Sequence, residues 1–436
     1  MVALVAALLV PASVMAAEPA PTFAKDVAPI FQQKCQVCHR PDSIGPMSLV
    51  TYADVRPWVR SIRQRVASRD MPPWHLDNTV GIQKFKNDRS LTTAQIDTIT
   101  RWVDAGAPLG DPKDLPPPVQ WPNEDIWTNG PPDFTVTLPF DHVMYPNGPD
   151  WFADYEVETG LTEDRYIKAV ETKPAKTKKG RSVVHHAITY ALQGADASDV
   201  DRLGFPLAPG SNQGVFINEY AVGKGGETFP ENTGKLLKAG GKIRFNMHYF
   251  AVGEEVRDRP TVGFRFYPRG VVPKYVVIDP DQWAGSNELD IPANTLTRHD
   301  GYWRLPRPAK LLTYQPHMHM RGKAMTLEAI DLNGKATVIN RVDRFNFNWH
   351  TVYEYDDDVA PLLPAGTVLH IIGIHDNTAA NRNNPDPNAW IGYGSRSIDD
   401  MLLCHINMVY LNEEEYERQV AERKAKEKRQ TDNQQQ

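Results

Sequence analysis

Cysteine is nearly missing from this chain: 436 residues contain only Cys35, Cys38 and Cys404. A disulfide framework is therefore excluded, and stability must come from packed cores or bound groups. Long apolar runs are scarce as well. Beyond the amino terminus no stretch reaches the roughly 18 residues that span a bilayer, so no membrane span is expected. Basic blocks are missing too, because the net charge of −6 is spread along the chain, which argues against nucleic acid as a partner. The 36 prolines favour turns and extended connections over a helical bundle.

The length is too great for one ordinary core and predicts about three domains at roughly 150 residues each. Residues 1–17 are mostly apolar, are broken by Pro11 and close in Val14-Met15-Ala16-Ala17, the small-residue pattern that export peptidases cut. A signal peptide is expected, with a mature chain from Glu18 and a periplasmic or secreted location. The usual basic n-region is missing, which leaves two other readings, a misplaced start codon or a buried amino-terminal strand. Residues 18–112 read as a small all-α domain of three short helices, and 113–132 as a proline-rich linker. From about Asp133 the texture changes to short alternating strands such as Phe134-Thr135-Val136-Thr137-Leu138 and Val368-Leu369-His370-Ile371-Ile372, separated by turn residues. Two all-β antiparallel sandwiches are predicted, 133–270 and 271–412, with the joint near Tyr267-Pro268-Arg269-Gly270. The charged tail 413–436 is expected to be a frayed helix or disordered.

Cys35-Gln36-Val37-Cys38-His39 is a CxxCH run, in which two thiols add to haem vinyl groups and the histidine becomes an axial ligand of the iron. One covalent haem c is predicted. A sixth ligand should come from a later loop, and methionine opposite histidine suits electron transfer. Met71, in Asp70-Met71-Pro72-Pro73-Trp74, is the choice; Met47 and His75 are the alternatives. Over these roughly ninety residues the chain resembles small bacterial c-type cytochromes.

The β segments hold a second pattern: His185-His186, then His248-Tyr249, then His317-Met318-His319-Met320-Arg321-Gly322, then Asp399-Asp400-Met401. Adjacent histidines on a strand point to opposite faces, so both reach one metal only at a strand end, bulge or twisted loop. An HxH pair shares a face without distortion. Imidazoles suit copper, zinc and iron, and an added thioether favours copper cycling through Cu(I). His350, His370 and His375 are read as structural residues. Cys404 reads as a buried free thiol, and Tyr249 and Tyr410 as aromatic packing.

In this order the motifs resemble peptidylglycine α-hydroxylating monooxygenase and dopamine β-monooxygenase, the copper type II, ascorbate-dependent monooxygenases, over about Asp133 to Tyr410. The resemblance implies two antiparallel jelly-roll domains facing a solvent-filled cleft. It implies one copper on His185, His186 and His248, and a second, oxygen-reactive copper on His317, His319 and Met401. The implied activity is hydroxylation of a C–H bond with O2 on an unidentified organic substrate, with an external electron donor, ascorbate or a redox protein. Gln315 stands where peptide-hydroxylating members place an arginine for a substrate carboxylate, so a C-terminal peptide is not the expected substrate. The haem is expected to replace ascorbate wholly or in part. Two competing readings are a non-catalytic copper-binding electron carrier and a partner-binding sandwich.

Overall fold

A computed structural model describes residues 19–41, 43–121, 126–175, 178–193, 214–221, 224–280, 283 and 285–434. The expected signal peptide lies outside the described residues. The chain is mostly β, with 34% strand against 18% helix.

The amino-terminal segment packs Phe23, Phe31, Ile62, Ile99 and Trp102 into one small core. Its longer helices are Val59–Ala67 and Thr93–Asp104, the latter started by a capping box between Thr92 and Gln95. The expectation of a separate small all-α domain is corrected by what lies between them. Pro72 and Pro73 end the helical run, and the chain then crosses to the carboxy-terminal β unit. Leu76 and Phe85 bridge to Val342 and Tyr355, and Trp74, Leu76 and Phe85 are buried in the core of that unit. The Asp77 amide donates to the Arg341 carbonyl at 2.8 Å and the Lys86 amide to that of Glu354 at 2.8 Å. This strap has too few apolar residues for a core of its own, so they are buried in the nearest one. The helices and the β unit are thus one packed assembly rather than an all-α domain followed by sandwiches.

The two β sandwiches do fit. In the first, strands Trp151–Glu158, Lys242–Tyr249, Val184–Leu192 and Val215–Ala221 form one sheet in that spatial order. Strands Phe134–Thr137, Thr261–Phe266, Arg165–Lys173 and Thr233–Leu237 form its partner, with Ile217, Phe245 and Phe264 buried between them. In the second, Leu296–Arg304, Val368–Asp376, Gly322–Ile330 and Ala336–Val342 make one sheet. The facing layer includes Thr313–His317, flanked by Tyr353–Glu354 and Leu403–His405.

Among the described strand pairs one departs from the antiparallel pattern. Strand Tyr275–Ile278 lies parallel to Thr233–Leu237, with Tyr275 opposite Thr233, so a single sheet runs through the expected joint. The two units are therefore held together by backbone hydrogen bonds as well as side chains. Tail residues Glu413–Gln434 form a helix, anchored by Tyr416 against the first core and by the Arg423 guanidinium donating to the Ala360 carbonyl at 2.9 Å. Among the described residues no helix is long and apolar enough to cross a membrane.

Candidate metal centre

His185 and His186 open strand Val184–Leu192 at a β-bulge. Val184 pairs with Tyr249 and His186 with His248, leaving His185 as the extra residue. Val184 and Ala187 both face the inner core, so the bulge turns the two histidines to the outer face together. Their Nδ1 atoms are 3.3 Å apart, within hydrogen-bond distance. His248, opposite His186, is buried, and its ring centroid lies 4.7 Å from that of His185 and 5.1 Å from that of His186.

His317 ends the strand Thr313–His317, buried along its whole length, and His319 follows in the turn closed by the Gly322 amide on the His319 carbonyl, 3.0 Å. Glycine is required there, because a Cβ would lie 2.6 Å from Met318 Cβ and 2.9 Å from Phe345 Cδ1. Asp400 fixes this turn. Its Oδ1 accepts from the His319 and Met401 amides, both at 2.9 Å, and its Oδ2 from the Arg321 amide at 3.1 Å. Met401 is thus tied by its backbone to the carboxylate that holds His319, and its carbonyl lies 3.2 Å from His375 Nε2.

The resemblance implied two centres facing each other over solvent, and here the structure differs. The rings of His186 and His317 are 6.3 Å apart, and one buried cluster runs from His185 to His319 along the seam between the units. Between them sits His350, which sequence reading had assigned to packing. Its ring is 4.8 Å from His317, 5.3 Å from His186 and 5.5 Å from His185. Two groups of side chains have ligand atoms within 4.8 Å of one another, His185, His186 and His350, and Glu219, His317 and His350, and each could hold a metal ion. Neither His350 nor Glu219 is part of a ligand-spaced motif, so no local pattern marked them. Gln315, expected near substrate, is buried and donates to Glu219 instead.

The donor chemistry fits a metal. Among the described residues His185 Nε2, His248 Nδ1, His317 Nδ1 and His350 Nε2 are all buried without a hydrogen-bond partner, an arrangement that is costly unless a donor or a metal ion meets them. For His248 and His350 the opposite nitrogen is held by a carboxylate, in the manner common to metal-binding histidines. Asp150 Oδ2 lies 2.9 Å from His248 Nε2, and Glu219 Oε1 lies 3.2 Å from His350 Nδ1. The Asp399 carbonyl is 3.2 Å from His319 Nδ1. A carbonyl only accepts, so that nitrogen carries the proton and leaves Nε2 as the donor to metal. Burial, reinforced by the charges of His350 and His248, pushes the His185 imidazole down to about 2. Burial likewise holds His186 and His317 far below the usual imidazole range. For Glu219 burial acts upward, but His350 and Lys224 outweigh it and hold the carboxyl at about 2. At neutral pH His185, His186 and His317 are therefore neutral donors beside the Glu219 carboxylate, a set that favours a cation. Phe347 stacks on His185 at 4.6 Å and 23°, covering the cluster from the side of the loop between Val342 and Tyr353.

The CxxCH segment is compact. The amides of Cys38 and His39 both donate to the Cys35 carbonyl, at 3.1 and 2.9 Å, which brings both thiols and the imidazole onto one turn. His39 Nδ1 is 3.2 Å from the Met47 carbonyl, so its proton is on Nδ1 and Nε2 remains for a metal. Gly45 crosses so closely that a Cβ would lie 2.7 Å from the Cys38 carbonyl and 2.8 Å from His39 Nδ1. These residues fit covalent haem. Met71 lines a cavity of about 400 Å³ with Val66, Trp74, Leu91 and Ile96, whereas Met47 meets His39 through its backbone. His75 is buried beneath Tyr353, whose hydroxyl accepts from its amide at 3.3 Å. His370 sits between Asp300 and Glu328, away from the cluster, as a structural residue. Cys404 is buried with its thiol held far above the usual range, chiefly by burial.

No family model matches the chain, and no curated protein matches it. Solved structures offer distant likenesses only. An allantoicase shares 13% identity over 52% of this chain and 77% of its own, with a TM-score of 0.16. T=1 particles derived from infectious bursal virus share 8% over 64% and 71%, with a TM-score of 0.17. An oxalate decarboxylase of Bacillus subtilis shares 7% over 68% and 80%, with a TM-score of 0.13. At such scores none of them carries an argument about fold or activity.

Proposed function

We propose that this chain is an exported copper-dependent monooxygenase that hydroxylates a C–H bond with O2, its electrons delivered through haem c attached at Cys35 and Cys38. One observation carries the reading: imidazoles from distant parts of the chain converge at a buried seam, four of them with ring nitrogens that meet no partner among the described residues. His185, His186 and His248 would hold one copper, and His317, His319 and Met401 the other. When bound, copper supplies one-electron cycling and reactivity toward O2. The balance is one oxygen atom to the substrate and one to water, with two electrons and two protons consumed.

The protein's own groups have definable tasks. Asp150, Glu219 and the Asp399 carbonyl fix the tautomers of His248, His350 and His319, so each presents a lone pair inward. Asp400 sets the backbone that carries His319 and Met401. Phe347 and the closely joined units keep bulk water from the cluster, which protects a reactive oxidant from side reactions. His39 and, from the later loop, Met71 would hold the haem iron, and that pairing suits one-electron transfer.

Oxygen uptake by the copper- and haem-loaded protein, reduced by an external donor and offered candidate substrates, tests the proposal. Substrate-dependent uptake that falls in the Cys35→Ser, Cys38→Ser double variant is expected. Equal turnover with ascorbate in that variant would remove the haem from the reaction. Copper binding without any oxygen consumption would favour an electron-carrying copper protein.

A further inference from the structure

His350 has the surroundings of a ligand and no place in the motif pattern. Its loop joins strands Ala336–Val342 and Tyr353–Glu354 and reaches across the seam to Glu219 on strand Val215–Ala221 of the other unit. Glu219 Oε1 lies 3.2 Å from Nδ1, so a proton on Nδ1 completes that bond and leaves the lone pair on Nε2. That Nε2 is buried and meets no hydrogen-bond partner among the described residues, in a ring surrounded by those of His185, His186 and His317.

The position is built rather than incidental. Glu219 is itself 1% exposed and receives Gln315. The loop is fastened at both ends: the Arg344 guanidinium donates to the Ser68 carbonyl at 2.7 Å, and the Asn87 amide to that of Val352 at 2.7 Å. Phe347 lies flat on His185 between them. Glu219 accounts for Nδ1 of this imidazole, whereas the buried Nε2 has no partner among the described residues, a cost that a bound metal ion would remove.

We propose that His350, oriented by Glu219, is a metal ligand through Nε2 for a first-row transition ion such as copper, placed between the His185–His186 and His317 halves of the cluster. The inference rests on the metal-centre reading above and adds to it a ligand delivered by the connecting loop. Because Nδ1 is committed to Glu219, His350 offers one donor nitrogen, so its loss should weaken the binding of the one ion that it serves.

Titration of the metal-free full chain with Cu(II), followed by electron paramagnetic resonance, and with Co(II), followed by visible absorption, tests this. His350→Ala should weaken binding at least tenfold and change both spectra, and added imidazole should restore them in His350→Gly. Glu219→Gln should weaken binding by about 10–100-fold, the range for lost partners of ligating histidines. Wild-type affinity and spectra in a folded His350→Ala protein, judged by circular dichroism, would overturn the proposal. If His350→Ala fails to fold, His350→Gln with the Glu219→Gln series decides by the same spectra. Unchanged binding in His185→Ala and His186→Ala would instead sink the metal centre itself, whereas spectral loss at His350 without oxygen uptake would leave this inference standing and remove the oxygenase.

Discussion

Replacing Asp400 by asparagine should damage one half of the cluster and spare the other. The carboxylate is fully buried, and its two oxygens take three backbone amides, those of His319 and Met401 at 2.9 Å and of Arg321 at 3.1 Å. His375 Nε2 lies 3.3 Å away. An asparagine side chain has one acceptor oxygen and one NH2 donor, so whichever way it turns, at least one buried amide faces a donor and loses its partner. The remaining bonds become neutral, and charge-assisted bonds of this type are worth about 1.5–3 kcal/mol each against about 1 kcal/mol for neutral ones. The expected loss is about 2–4 kcal/mol, which lowers Tm by roughly 5–15 °C for a unit of this size. Because His319 and Met401 share Oδ1, copper affinity at their half should fall, while the Cu(II) spectrum from His185, His186 and His248 persists. Circular dichroism melts and copper titration of Asp400→Asn measure both. A Tm and an affinity equal to wild type would refute the assignment of Asp400 as the residue that sets this turn.

Gly322→Ala should cost about 1–3 kcal/mol through forced displacement of Met318 and Phe345, visible as a lower urea midpoint, since the added Cβ would lie 2.6 Å from Met318 Cβ. Burial, aided by the nearby Arg344 charge, holds His75 down to about 4, so the unfolded chain takes up a proton that the folded one refuses. Stability from this group is intact above pH about 6.5 and is lost as pH falls toward 4, by up to about 3 kcal/mol. His75→Gln should flatten that acid limb in melts recorded across the same range. With haem attached, Cys404 is the remaining thiol, and its burial predicts no reaction with iodoacetamide until the protein unfolds; rapid labelling of the native protein would contradict its placement.

The paired histidines show what a sequence can carry. His185-His186 on a strand demands a bulge if both are to face one metal, and the bulge is there at His185. An HxH pair is expected to share a face, and in the structure Gly322 closes the turn that follows His319. Both signals are local, written within a few residues. The strap Pro73–Asn87 was illegible as β structure because it joins the sheet through two isolated bridges rather than a run of alternating residues. That is why the helical segment read as a domain of its own. His350 and Glu219 were illegible for a related reason: each stands alone in its segment, 131 residues apart, and only the joining of the two units brings them together. The same joining, through the parallel pair of Thr233–Leu237 with Tyr275–Ile278, accompanies the approach of His186 and His317 to 6.3 Å between ring centroids.

The central claim is that this seam is a copper centre served by an attached haem. Metal analysis of the exported protein after exposure to Cu(II) and removal of loosely held ions tests it most directly. Two coppers and one iron per chain are predicted, with the copper lost in His185→Ala, His317→Ala double variants. A folded, haem-bearing protein that retains no copper would contradict the account.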